Sequence, residues 1–283
     1  MITELSLSQF YQVKHLTDAY RNIEVKAVVS GMNPGRIYVD DADNIQAALI
    51  WVHGQTGYQL VGDAESKPFR SELRTYMQTH ILPELVALKM TEVEIGVADD
   101  RWRNVLEHMA GPSELNYDTQ HVFMLHGMDD RTDSDTCYTP SGVPILPAEG
   151  TLVLPIDKGL LQQSGLNNLS FVTDKIRHFW GKADAFLEHG LGYVVVHEDE
   201  IVSICFSAFV EGITHAIDIE TLEGHRQRNY AALAAQAYMK QCHRVGIRPY
   251  WDCMPDNTGS IRLAQSVGLS LDFDYLVYWY TIL

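Results

Sequence analysis

THAIDIETLEGHRQRNYAALAAQAYMK, residues 214 to 240, decides how the rest of the chain is read. Its first eight residues alternate as a strand does, with His215, Ile217, Ile219 and Thr221 on one face and Ala216, Asp218 and Glu220 on the other. A polar turn follows, and then a run of good helix formers in which Ala231, Ala232, Ala234, Ala235 and Ala237 keep the surface low. His225, Arg226 and Arg228 stand between strand and helix. A helix N-terminus already carries partial positive charge on its unpaired N–H groups, so further cations are unfavourable there unless they face solvent or an anion is bound. A phosphate would satisfy cations and N–H groups together. The Walker loop and the GxGxxG turn are both excluded, because no glycine lies between Gly224 and Gly246.

Working outward, the 283 residues are 46% hydrophobic and 20% charged, the balance of an ordered globular chain with room for a sizeable core. Twenty-one Lys and Arg against 37 Asp and Glu give a net charge of -16, which argues against binding nucleic acid or an anionic membrane and suits a cationic small molecule. Cys137, Cys205, Cys242 and Cys253 have no CxxC pairing; Cys205 in an apolar strand and Cys242 in a helix read as buried thiols of a reducing compartment. The N-terminus has no cationic segment followed by an apolar one, and no apolar run approaches membrane-spanning length, so a cytoplasmic protein is expected.

Strands are expected at Arg36 to Val39, Ala47 to Val52 and Tyr58 to Val61, followed by the helix PFRSELRTYMQTHILPELVAL, the strand EVEIGV, a helix through DRWRNVLEHMAG and the strand QHVFMLHG. Residues 127 to 150 are rich in Asp, Ser, Thr, Pro and Gly and break the pattern. Their Asp129, Asp133 and Asp135 lack the Gly and the closing Glu of a calcium loop, and His108, His121, His126, His178 and His189 are scattered without the i, i+4 spacing of a helical metal site, so no metal is expected. The second half begins again with a helical segment over NLSFVTDKIRHFWGKADAFLEHG, then the strands GYVVVHEDE, IVSICFSAFV and THAIDIET. IYVDDADNIQAALIWV and YVVVHEDEIVSICFSAF are both strand, acidic turn, strand, which suggests two halves on one plan. The domains expected are 1–130, a linker at 131–150, and 151–283.

The stretch from Arg226 to Ala231 resembles the Q/R-x-x-G-x-G/A loop of the GNAT superfamily of acyl-CoA-dependent N-acyltransferases. Arg226, Asn229 and Ala231 take the three defining positions, with Asn where the central Gly is usual; Asn tolerates positive φ better than most residues. WDCMPDNTGSIRLAQSVGL, residues 251 to 269, is similar to that superfamily's second motif, with Asn257, Ser260, Leu263, Ala264, Gly268 and Leu269 in register. CFSAFV, IDIET, RPYWDC and, in the first half, GRIYVDD look like the branch that includes the zwittermicin A resistance acetyltransferase. The resemblance covers residues 150 to 283 directly. It implies an α/β (α+β) fold, a mixed, mostly antiparallel sheet flanked by helices, preceded by a smaller half that is a degenerate copy.

The resemblance further implies transfer of an acetyl group from acetyl-CoA to a primary amine of a small molecule. The coenzyme A pyrophosphate would lie on Thr221, Leu222, Arg226, Gln227, Arg228, Asn229, Tyr230 and Ala231, with Asn257 and Ser260 nearby. An ammonium must lose a proton before it attacks, and the candidates on the strand are Glu220 first, Asp218 second and His215 last, since His215 faces the other way. The Tyr that many members use as general acid is replaced by Ala264, leaving Tyr275, Tyr278 and Tyr280 as substitutes or the thiolate to leave unaided. A second reading is a ligand-sensing module that binds acyl-CoA without catalysis, which Ala264 and Asn229 favour. Neither reading fixes the oligomeric state; a homodimer is one possibility.

Overall fold

Twelve strands and the helices between them build two compact units in the computed structural model, which describes residues 1–125 and 147–282. The first unit comprises Met1–Gln120 and Asp274–Leu283, the second His121–Phe273. Most of the expected linker, together with His126, Asp129, Asp133, Asp135 and Cys137, lies outside the described residues.

In the first unit the strands β1 (Thr3–Glu4), β2 (Gly35–Val39), β3 (Ala47–Val52) and β4 (Gly57–Gly62) pair antiparallel in that order. Helix α1 (Lys67–Tyr76) then returns the chain to β5 (Glu92–Val97), which lies parallel to β4. The apolar residues of the helical run recur every fourth position, Phe69, Leu73, Met77, Ile81 and Leu85, and form one stripe buried against Leu49, Leu60 and Ile95 of the sheet. The run widens to a π-turn over Met77–Ile81, just ahead of Pro83. A proline has no N–H to give and crowds the carbonyl one turn back, which the wider turn accommodates. Helix α2 (Arg103–Ala110) adds Leu106 and Met109 to the same core.

The chain enters the second unit on β6 (Asn116–Met124), whose last residues pair antiparallel with β11, described below. There follow β7 (Thr151–Pro155), helix α3 (Leu169–Trp180), β8 (Gly192–His197), β9 (Glu200–Glu211) and β10 (Thr214–Thr221). Helix α4 (Tyr230–Val245), β11 (Arg248–Cys253), helix α5 (Thr258–Ser266) and β12 (Ser270–Thr281) complete the chain. Within this unit the strand order is β6-β11-β10-β9-β8-β7, with β10 and β11 parallel. Two helices cover its two faces. Tyr230, Ala234, Tyr238 and Cys242, spaced four apart on α4, pack with Cys205, Ile217 and Trp251; on the other face, Phe179 of α3 meets Phe206 and Phe209 edge-on at 5.6 and 5.5 Å. No helix among the described residues is long and apolar enough to cross a membrane.

The two units therefore repeat one plan: three antiparallel strands, a helix, and a parallel fourth strand. This mixed, mostly antiparallel sheet flanked by helices is the expected fold. The partition of the chain differs from the expected break at 131–150. β6 crosses from one unit to the other along its length, and Leu276–Thr281 of β12 pair with β5 of the first unit, so strand pairing outweighs sequence order. Two local expectations are also corrected. The helical segment of residues 168–190 is two helices parted at Gly181, whose φ of 70° ends the first, and the strand expected at 120–127 runs over Asn116–Met124.

Candidate functional site

The strand that carries the two carboxylates is bent by its neighbour. β9 has one residue more than β10 needs: Ala216 pairs with Phe209 and Ile217 with Ser207, leaving Ala208 as a bulge. Such an insertion increases local twist and turns the strands away from the flat sheet. It is held in place, since Ser207 receives the Trp180 indole N–H on its carbonyl at 2.9 Å and the Leu191 N–H on its hydroxyl at 3.0 Å. On its other edge β10 pairs with β11 only through Thr214, His215 and Ala216. From Ile217 onward the two parallel strands part, and the split opens a cleft of about 490 Å³.

The cleft has three walls: Ile219, Glu220 and Thr221 of β10; His225, Arg226, Gln227 and Asn229 of the turn with the first residues of α4; and Asn257, Gly259, Ser260 and Leu263 at the start of α5. Asn229 adopts φ 62° and ψ 13°, the left-handed conformation that its place in the loop motif demands, and Gln227 has φ 63°. Left-handed residues at alternate positions turn successive N–H groups toward one side, the geometry of an anion-binding nest. The N–H groups of residues 227–232 have no acceptor among the described residues; Leu233 is the first of this stretch to donate, to the Asn229 carbonyl at 3.0 Å. Arg226 rests its Nε on the Thr221 carbonyl at 3.4 Å.

Of the expected cofactor contacts, Thr221, Arg226, Gln227, Asn229, Tyr230, Ala231, Asn257 and Ser260 line the cleft. Leu222 and Arg228 do not: Leu222 is tied to the Val202 carbonyl, and Arg228 is exposed. Asn257 and Ser260 also have structural tasks. Asn257 caps α5 by accepting the Ser260 N–H, and the Ser260 hydroxyl receives the Trp251 indole N–H at 2.8 Å.

The three candidate bases separate cleanly. Glu220 lines the cleft and is 40% exposed. Asp218 lies deeper, does not line the cleft, and burial pushes its carboxyl above the usual range despite the opposing pull of Lys175. Both carboxylates grip the same ammonium, Lys175 Nζ of α3, at 3.0 Å from Asp218 and 2.6 Å from Glu220. Burial disfavours that ammonium, but the two carboxylates outweigh it and its pKa is raised.

His215 is on the opposite face, buried with its Nδ1 2.8 Å from the Ser207 hydroxyl, which also meets the Tyr238 hydroxyl at 2.9 Å. Burial lowers its pKa to about 4. A pKa below the unfolded value of about 6.5 favours folding fully above that pH, and the contribution is lost as pH falls from 6.5 through 4. Stability is therefore expected to fall by roughly 3 kcal/mol across that window from this group alone. Denaturant unfolding at pH 7 and pH 4 measures it: His215→Asn narrows the pH difference, and an unchanged difference refutes the assignment.

Tyr278 and Tyr280 are buried in the first unit, with the Tyr278 hydroxyl donating to Asp100, and neither these nor Tyr275 lines the cleft. Ala264 is wholly buried. The residues missed from sequence are Ile219, Ala232, Gly259 and Leu263 of the cleft walls, Glu200, which sits 3.3 Å from His225 Nε2, and Lys175. Lys175 left a trace: it shares a helix face with Val172 and Phe179, where an apolar residue would be usual.

The first unit has the matching turn, residues 63–66 between β4 and α1, but a different chemistry. Three of its four N–H groups are used within the unit, Asp63 to Gln46, Ser66 to Asp63, and Glu65 to the Asp63 carboxylate. Pro68 removes a donor from the first turn of α1, and Asp63 and Glu65 repel an anion.

Comparison with known proteins bears on the whole chain. The model of the GNAT acetyltransferase family matches residues 14–278. YdfB of Bacillus subtilis (strain 168), an uncharacterized N-acetyltransferase, is 23% identical over 280 residues, covering 99% of this chain and 98% of that one. A GCN5-related N-acetyltransferase-like protein from Streptococcus suis has the same fold, with a TM-score of 0.65 at 20% identity over 97% of this chain and 100% of that one. So has a tandem GNAT protein of the clavulanic acid biosynthesis pathway, with a TM-score of 0.60 at 14% identity, covering 99% and 97%.

Proposed function

Because the chain belongs to the GNAT acetyltransferase family, we propose that its second unit binds acetyl-CoA in the cleft between β10 and β11 and transfers the acetyl group to a primary amine. The observation that carries this reading is the row of N–H groups at residues 227–232 without an acceptor among the described residues, five of them on Gln227, Asn229, Tyr230, Ala231 and Ala232, which line the same cleft as Glu220. Diphosphate is what such a loop accepts, and the low surface of Ala231 and Ala232 lets it approach closely. Acetyl-CoA supplies an activated thioester. Glu220 takes one proton of the acceptor's ammonium, the amine nitrogen bonds to the acetyl carbon, and the carbon–sulfur bond breaks to release coenzyme A, whose thiolate takes up the nitrogen's second proton through solvent. With Ala264 buried, the sulfur leaves without a phenol from α5, which a thiol pKa near ~8.5 permits.

A net charge of -16 favours an amine that is itself cationic. The likeness of CFSAFV, IDIET and RPYWDC to the zwittermicin A resistance branch makes aminopolyols the first acceptors to try. One binding site per chain is expected, since the turn of the first unit is acidic and has committed three of its four N–H groups. The reading is tested by titrating acetyl-CoA into the protein and then following thiol release with a panel of primary amines. Saturable binding with amine-dependent release supports it. Binding with no release on any amine would favour a sensing module instead, and no binding would remove both readings.

A further inference from the structure

Lys175 has no part in the transfer as described, yet it pairs with two carboxylates, one of them on the cleft wall. Its Nζ lies 2.6 Å from Glu220 Oε2, 3.0 Å from Asp218 Oδ2 and 6.0 Å from the Phe179 ring centroid, and the side chain is 23% exposed. Two carboxylates on one face of a strand repel each other, and the deeper one is poorly solvated, so without a cation one of them would hold a proton. We propose that Lys175 is a positioning residue for deprotonation of the acceptor amine: it clamps the Glu220 carboxylate at the wall of the cleft and offsets its repulsion with Asp218.

The surroundings leave this task to Lys175. On α3 the other ionisable neighbour of Asp218 is His178; the buried Cys205 thiol of β9 packs with α4 on the other face of the sheet, and β10 itself contributes the two carboxylates. The ionisable side chains that share the cleft with Glu220 are His225, Arg226 and Tyr230, and His225 already faces Glu200 at 3.3 Å. Lys175 therefore cancels one of the two negative charges at this wall, which also leaves a single net negative charge to meet an incoming ammonium.

This inference rests on the reading of Glu220 as the base. Its test compares Lys175→Met and Lys175→Gln with Lys175→Arg, in the full chain. Removing the cation raises the carboxylate pKa, so the base is protonated at higher pH. The acid limb of kcat/KM is expected to move up by about one pH unit or more in the Met and Gln variants and to stay near its place in the Arg variant. A purely structural role would lower activity without moving the limb. In parallel, carbon-13 NMR titration of the glutamate and aspartate carboxyls follows the same shift with no acceptor present. If neither Met nor Gln moves the carboxyl titration, the clamp is overturned. If the titration moves while Glu220→Gln keeps its full kcat, the clamp stands and Glu220 is not the base.

Discussion

Glu220→Gln lowers kcat by roughly 10²–10⁴-fold, the range in which a positioned general base contributes. The substitution keeps the shape and the hydrogen-bonding reach of the side chain but removes its proton affinity, so acetyl-CoA affinity measured by calorimetry stays within about twofold. Asp218→Asn has the smaller effect, because Asp218 lies beneath Lys175 and off the cleft wall. A Glu220→Gln enzyme with kcat within threefold of the parent would sink the assignment, and water would then have to take the proton.

Ending the chain at Phe273 unfolds the first unit. The missing residues supply Tyr278 and Tyr280, 1% and 3% exposed, to its core, and Leu276 packs against the same cluster. They also supply the antiparallel partner of β5 from Val97 to Glu92, so β5 becomes a bare edge. Losing one buried aromatic costs about 3–5 kcal/mol, and a whole domain has only about 5–15 kcal/mol to lose. Hydrogen exchange followed by mass spectrometry reads the result: protection in β2 to β5 collapses, while β8 to β10 lose less. Full protection of β2 to β5 in the shortened chain would show that the last strand is dispensable.

What was legible in the sequence was local. The alternation of residues 214–221 placed both carboxylates on one face, Asn229 stood where a left-handed residue is required, and the alanines marked a helix that packs closely; each is a property of a few consecutive residues. Pairing between distant segments was not legible. Nothing in Asn116–Met124 says that its end will bond β11, and nothing in SLDFDYLVYWYT says that its end belongs with β5, because register is set by partners far along the chain. The bulge at Ala208, level with the point where β10 and β11 part, was hidden for the same reason: it exists only as a mismatch between two strands. Lys175 fell between these cases. Its place on an apolar helix face was a local signal, but its two partners lie 43 and 45 residues further on, at Asp218 and Glu220.

The membership of the final strand has a consequence for synthesis. Chains commonly fold from the N-terminus as they leave the ribosome, one domain after another. Here that order is reversed: the second unit, His121–Phe273, is complete in the nascent chain before the first unit can receive Asp274–Leu283. The half that is translated first must wait, with β5 unpartnered on one side, until residues 274–283 have left the ribosome. Its exposed edge over that interval is where chaperones or misassembly would act on this chain.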